Sequence, residues 1–464
     1  MSMTGEIVYK NPVYVRAKGE EFIAALREFL QMPYTLHRKA WHGHHVAEQK
    51  FKKMVHADGT FLAGFVRRVG DHFSKIGYSI VLKDVNRVRL VDQEPTLPGI
   101  ELREDQKRLI KRAVTEQRGL IVSPTGSGKT VMIAGVLSCL NWSELLTVLV
   151  LCHNTSLQSQ LQEELETRFN YACTLLGGGH KLKYGAEEYR GKVIISTVQS
   201  AARTDFSKFD FVDVVIVDEA HHVHDIKSQY FEVLSRIPAR MRLGFTATPR
   251  TEDGPQMVAE GLLGPILDQV TVEEGIETGI LAKPKIKLIK IPFNQNIRDI
   301  RAYPAVYEHG VVHNLRRNRI IGKTVMEFVK EGKTVLIYVN QIDHGHNLLL
   351  TLEGMGYNDA VFIRGETETD KRDFVKRNLN DKVVNVVIAT TIWKEGINIP
   401  TLNVIVNAAG SKSEIAVLQT IGRGFRKAEG KDEVTIVDFF DPSHPYLISH
   451  FGERITLYMD KGWL

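Results

Sequence analysis

The sequence predicts an α/β chain in which two tandem parallel-sheet domains follow a small α/β module. Three observations predict it. Short β-rich apolar runs at 120–122, 147–152, 193–196, 212–217 and 242–245 alternate with helical stretches at 131–140 and 156–169. The same alternation starts again beyond residue 283, with runs at 335–339, 360–363, 384–389, 404–407 and 434–438 and helices near 342–355, 369–380 and 413–421. Finally, 464 residues at 43% hydrophobic content exceed one ordinary core. Strand–helix alternation calls for crossover helices between parallel strands, and such sheets bind ligands at the carboxyl ends of their strands.

The first element is a module spanning 1–95. Phe22, Ile23, Leu26, Phe29 and Leu30 carry a helical period, and 61–76 reads as a second helix with short strands around both. Asp92 to Gly99 holds two prolines and a glycine without either period, so a linker is expected there. The first parallel domain is then 96–283 and the second 284–464, with a Gly- and Pro-rich joint at 254–284.

Charge is distributed unevenly. Residues 1–95 hold 15 Lys+Arg against 10 Asp+Glu, which accounts for the whole net charge of +5. That placement suggests a module facing a polyanion, although five charges also suit an ordinary solvated surface. The three cysteines, Cys139, Cys152 and Cys173, read as reduced thiols rather than a disulfide framework. No run approaches the roughly 18 to 20 apolar residues of a membrane span, and residues 1–10 lack a signal-peptide core, so a cytoplasmic location is expected. His37, His42, His44 and His45 surround Trp41 without any defined ligand spacing, which favours a polar or DNA-facing loop over a metal site.

The chemistry is concentrated in two segments. In Ser123-Pro124-Thr125-Gly126-Ser127-Gly128-Lys129-Thr130 the glycines let the backbone curl so that amide N–H groups point at phosphate oxygens. Lys129 supplies a mobile charge to the β- and γ-phosphates, and the Thr130 hydroxyl suits Mg²⁺. Asp218-Glu219-Ala220-His221 follows the apolar run 214–217, so Asp218 emerges at a strand end. Its carboxylate would hold Mg²⁺, and Glu219 would orient or deprotonate the attacking water. Both carboxylates could instead be helix N-terminal charges. Gln106, just upstream of the first strand, can read adenine with one donor and one acceptor, or simply be a surface glutamine. Together these segments predict a nucleotide hydrolase.

These residues, with those further on, resemble superfamily 2 helicases and translocases over nearly all of 100–445. Ser123 to Thr130 looks like motif I, Asp218 to His221 like motif II in its DEAH form, and Thr246-Ala247-Thr248 like motif III. Ala389-Thr390-Thr391 through Gly396-Ile397-Asn398 looks like motif V, and Gln419 through Arg423 and Gly424 to Arg426 like motif VI. The resemblance implies two RecA-like domains. It makes Gln106 an adenine reader, places Pro124, Thr125, Gly126, Ser127, Gly128, Lys129, Thr130, Gly396 and Asn398 around ATP, and makes Arg423 and Arg426 arginine fingers. His221, Thr246, Thr248 and Gln419 would couple the motifs. DNA contacts would come from His153, Asn154 and Thr155 (motif Ia), Gly178 in the triple glycine, Thr197 and Gln199 (motif Ic), and Arg364, Gly365, Thr390 and Thr391 in the second domain. Hydroxyls, amides and glycine N–H groups at helix starts suit sequence-independent phosphate contacts.

Within the superfamily the chain resembles phage recombination helicases of the UvsW type, whose DNA-binding domain is similar to the stretches 65–69 and 73–78 mainly in size, position and aromatic and basic placement. The resemblance implies a monomeric motor acting 3′ to 5′ on forked, branched or duplex DNA, with recombination or replication proteins as further partners. An RNA helicase, a duplex-binding ATPase switch and the motor of a restriction complex are the alternatives. The charged N-terminal module, the arginine pair and the lack of a nuclease signature argue against them in turn.

Overall fold

A computed structural model describes residues 3–39, 45–177, 186–247, 253–364, 367, 369–390, 401–410 and 431–464, of which 3, 36–39, 45–48, 186–187, 253, 255, 369–370, 372–373 and 376 are described in backbone only. They form two compact units, one of 1–123 with 128–270 and one of 271–464 with 124–127.

The first unit begins with strands β1 (Met3–Tyr9), β2 (Tyr14–Lys18), β3 (Gln31–Lys39), β4 (His45–Lys53), β5 (Thr60–Leu62) and β6 (Tyr78–Lys83). Four make a sheet in the order β5-β2-β1-β6, with β1 antiparallel to β2 and parallel to β6. Strands β3 and β4 pair antiparallel with each other in a separate ribbon, from Gln31↔Lys53 to Lys39↔His45. Helices Glu20–Phe29 and Val66–Lys75 bury Phe22, Leu26, Val69 and Phe73. Phe22 meets Phe73 edge-on at 5.1 Å.

The second sheet of this unit uses β7 (Arg118–Val122), β8 (Val148–Cys152), β9 (Cys173–Leu176), β10 (Val193–Thr197), β11 (Val214–Asp218), β12 (Met241–Thr246) and β13 (Ile266–Gln269). Their order is β13-β7-β12-β11-β8-β10-β9, with every pair parallel. Strand β8 is buried at every residue, as a sheet covered on both faces requires. Parallel sheets of this kind take ligands at the carboxyl ends of their strands.

The stretch expected as a linker is pinned along the second sheet. Val91 donates its N–H to Cys139 O at 3.0 Å, and Leu97 is buried among Leu102, Leu109 and Ile110. The small module shares one hydrophobic cluster with the second sheet, in which Phe61, Phe65 and Phe73 join Leu149, Val217, Leu262 and Leu263. The mediator is helix Asp253–Leu263, within the stretch expected as a joint. Its glycines serve close packing rather than freedom. A Cβ on Gly261 would lie 2.8 Å from Leu62 and 2.9 Å from Phe65. Arg68 reaches Glu260 from the module with two hydrogen bonds, at 2.8 and 2.5 Å, and the Arg118 guanidinium donates to the Pro12 carbonyl. Phe65 and Phe73, in the stretches that resemble a DNA-binding domain, are core residues: Phe65 lies against Gly261 of this helix, and Phe73 packs edge-on against Phe22, Phe29 and Tyr78.

The second unit repeats the architecture with β14 (Lys283–Lys290), β15 (Val335–Tyr338), β16 (Val361–Ile363), β17 (Val386–Ala389), β18 (Val404–Asn407) and β19 (Glu433–Phe440). The parallel order is β14-β19-β18-β15-β17-β16. Helices Leu315–Lys330 and Pro445–Asp460 pack here without having been expected. The second carries Arg454, fully paired with Asp438 at 2.7 and 2.9 Å, while the Tyr458 hydroxyl donates to the same carboxylate at 2.9 Å. A buried charge needs such saturation. Among the described residues no helix is long and apolar enough to cross a membrane, and all three cysteines are free thiols.

Candidate nucleotide site

Five adjacent or near-adjacent strands of the second sheet end at the sequence-predicted motifs. Ser123 follows β7, His153 follows β8, Thr197 ends β10, Asp218 ends β11 and Thr246 ends β12. The Ser123 N–H donates to Thr246 O at 2.9 Å, which ties the start of the phosphate loop to the neighbouring strand.

The loop itself turns through Gly126 (φ +95°) and Gly128 (φ +89°), a region that favours glycine, and the Ser127 hydroxyl closes it by donating to Pro124 O at 2.8 Å. Helix Lys129–Ser138 starts directly after, so Lys129 and Thr130 occupy its first turn. Gln106, in helix Glu104–Glu116, is buried and holds the Arg103 N–H at 3.3 Å. A Cβ on Gly128 would come 2.7 Å from its amide nitrogen, so the glutamine lies against the loop.

Lys129 Nζ stands 3.6 Å from Glu219 Oε1. Glu219 adopts a left-handed conformation (φ +54°, ψ +53°), a strained choice for this residue that turns the chain sharply after β11. Its N–H donates to Asp218 Oδ1 at 3.0 Å, and its Oε2 lies 3.2 Å from His221 Nδ1. His221 Nδ1 is also 3.2 Å from Thr246 Oγ1. One contact path therefore runs Lys129, Glu219, His221, Thr246.

The two neighbouring carboxylates titrate apart. Burial and the adjacent Glu219 charge push Asp218 up, against the pull of Lys129. For Glu219 burial opposes ionisation, but Lys129 and the hydrogen bond with His221 outweigh it and hold the carboxyl low. A divalent cation fits this donor set. It would relieve the crowded negative charge at Asp218, with the Thr130 hydroxyl as a second oxygen. Among the described residues no three His, Cys, Asp or Glu side chains group together as a metal cage.

Residues predicted for the other rim have mixed placements. Asn154 caps helix Thr155–Glu163 by accepting the Leu157 N–H at 2.9 Å, with Thr155 as its first residue. Thr197 caps helix Val198–Ala202, which contains Gln199, by accepting the Ser200 N–H at 3.2 Å. In the second unit, Arg364 follows β16 and donates its N–H to Thr367 Oγ1 at 3.0 Å. Thr390 follows β17 and donates its N–H to Ile363 O at 3.2 Å. Gly178, Thr248, Gly365, Thr391, Gly396, Asn398, Gln419, Arg423 and Arg426 lie outside the described residues, as do Trp41, His42, His44 and the helix expected at 413–421.

Sequence reasoning missed His222 and Tyr230. The His153 and His222 rings stack at 3.7 Å and 4°, His222 lies 6.3 Å from Tyr230 at 6°, and His221 touches His222 at 4.2 Å. The stack joins the start of the predicted motif Ia to motif II. The doubled histidine after Ala220 was the available signal.

Fold and site define a phosphate-loop nucleoside triphosphatase with two RecA-like domains. Residues 99–251 match the type III restriction enzyme res subunit family, and 317–428 match the helicase conserved C-terminal domain. The DNA 3′-5′ translocase XPB2 of Sulfurisphaera tokodaii is 24% identical over 366 residues, covering 71% of this chain and 80% of that protein. The ATP-dependent DNA helicase uvsW of Enterobacteria phage T4 is 23% identical over 376 residues, covering 77% and 74%. Among solved structures, the helicase MrfA bound to DNA aligns with a TM-score of 0.59 at 16% identity, over 80% of this chain and 55% of that one. A fragment of a putative HsdR subunit from Vibrio vulnificus aligns with a TM-score of 0.58 at 18% identity, over 90% and 77%. The chain belongs to the superfamily 2 helicases and is an ATP-dependent DNA helicase.

Proposed function

We propose that this helicase unwinds or branch-migrates forked and four-way DNA in recombination, repair or replication restart. The observation that carries the motor chemistry is the path from Lys129 through Glu219 and His221 to Thr246. A relative named as a phage DNA helicase and another named as a DNA translocase support the DNA substrate.

In this reading the loop 124–128 cradles the phosphates of ATP, Lys129 faces the β- and γ-phosphates, and Gln106 reads the base. Mg²⁺, held by Asp218 and Thr130, supplies charge neutralisation on the phosphates. Glu219, kept ionised by Lys129 and His221, orients the attacking water. Arg423 and Arg426 contribute guanidinium groups to the γ-phosphate. His153, Asn154, Thr155, Gly178, Thr197, Gln199, Arg364, Gly365, Thr390 and Thr391 hold the DNA backbone. Residues 1–95 are a DNA-binding module.

ATPase assays on single strands, duplexes, forks, four-way junctions and RNA test the reading. Branched DNA should stimulate most, and preferential stimulation by RNA would reject it. Lys129→Ala should abolish hydrolysis while leaving the fold intact, and unaltered turnover would overturn the site assignment.

A further inference from the structure

Most of the module's excess charge falls in one stretch. Residues 31–53 contain Arg38, Lys39, Lys50, Lys52 and Lys53 against Glu48 alone, a net charge of +4 out of +5 for the whole chain. All six charged positions lie on strands β3 and β4, which pair only with each other among the described residues. Its base is anchored, since Met32 is buried and a Cβ on Gly254 would lie 2.5 Å from the Pro33 carbonyl.

Tyr34, Thr35, Gln49 and Phe51 to Lys53 are exposed. The register sets Tyr34 opposite Lys50 and Met32 opposite Lys52 on one face, and Pro33 opposite Phe51 and Gln31 opposite Lys53 on the other. Phe51 is 59% exposed and Tyr34 42%, while Lys52 and Lys53 are exposed beside them. A two-stranded ribbon is marginal on its own, and exposed aromatics flanked by lysines add nothing to its folding. They suit a polyanion with apolar surface between its charges.

Resting on the DNA-helicase reading above, we propose that the β3–β4 ribbon is the grip of the module on double-stranded DNA, with Lys52 and Lys53 on phosphates and Phe51 against the groove wall. The major groove admits a two-stranded ribbon. Strands of nine residues reach about 30 Å, close to one turn of duplex.

The test is the salt dependence of binding to a blunt duplex, a single strand and an RNA duplex, followed by fluorescence anisotropy for wild type, Lys52→Ala/Lys53→Ala and Phe51→Ala. Each phosphate contact contributes about 0.9 to the slope of log K against log salt on duplex DNA, so the double variant should flatten that slope by about 1.8. Phe51→Ala should weaken duplex binding at every salt concentration with the slope unchanged. Basal ATPase and melting temperature should match wild type, because all three side chains are exposed. An unchanged duplex slope, or a loss seen only on single strands or RNA, overturns the ribbon assignment while leaving the helicase reading intact. Wild-type protein that binds no DNA overturns both.

Discussion

Gly64 and Gly70 sit six residues apart around the start of helix Val66–Lys75, and adding the same methyl group to each should have opposite effects. A Cβ on Gly64 would lie 2.6 Å from Gly261 O and 2.8 Å from Gly261 C, and closer still to the Glu260 carbonyl oxygen. All three are backbone atoms, so no rotamer change relieves the overlap. The module must instead back away from helix Asp253–Leu263, loosening Phe65 and the Arg68–Glu260 pair. Overpacking costs about 1–3 kcal/mol, and the rigid partners put Gly64→Ala at the upper end. At about 2–4 °C per kcal/mol for a unit of this size, melting should fall by roughly 6–12 °C. A Cβ on Gly70 meets nothing within 4 Å. There the methyl group only restricts the unfolded chain and raises helix propensity, so Gly70→Ala should stabilise by about 0.5–1 kcal/mol. Calorimetry on the two variants decides the matter. Gly64→Ala melting with wild type would refute the tight docking of the module on the helicase core.

Two other outcomes follow from the described contacts. His222→Ala removes the ring that stacks on His153 and touches His221, and a stacked pair is worth about 0.5–1.5 kcal/mol, so DNA-stimulated ATP turnover should drop up to about tenfold. His222→Phe should restore it, and equal losses in both variants would rule out stacking as the cause. His344 is fully buried, with Nε2 3.2 Å from Asn318 Oδ1, and burial beside Arg317 holds its imidazole well below the usual range. The unfolded chain then takes a proton below about pH 6.5 that the folded chain refuses, so stability falls as pH falls, by up to about 1.4 kcal/mol per unit. His344→Gln should flatten that slope in denaturant titrations between pH 6.5 and 5, and an unchanged slope would show that other groups carry it.

The strands and the motifs of the candidate nucleotide site are legible because their signals are local. A buried parallel strand must be apolar along its length, as Val148–Cys152 and residues 214–217 are, and a phosphate cradle needs its glycines and lysine contiguous. Helix Leu315–Lys330 was less legible because its apolar positions are diluted by Arg316, Arg317, Asn318 and Arg319, of which Arg317 and Asn318 are buried by tertiary partners. The linker was misjudged for a related reason. Prolines and glycines at 92–99 break regular structure, but breaking a helix does not free a segment whose Leu97 has a core to enter.

The sequence by itself therefore determined the class of fold, the places of the parallel strands along the chain, and the phosphate-loop and Asp-Glu motifs at the strand ends, because each depends on pattern or composition within a few positions. Tertiary structure alone decided that the N-terminal module shares a core with the first RecA-like domain, that His222 stacks on His153 across 69 residues of chain, and that the excess positive charge forms one ribbon. Those features depend on which distant surfaces exclude water together, and no local period encodes that choice.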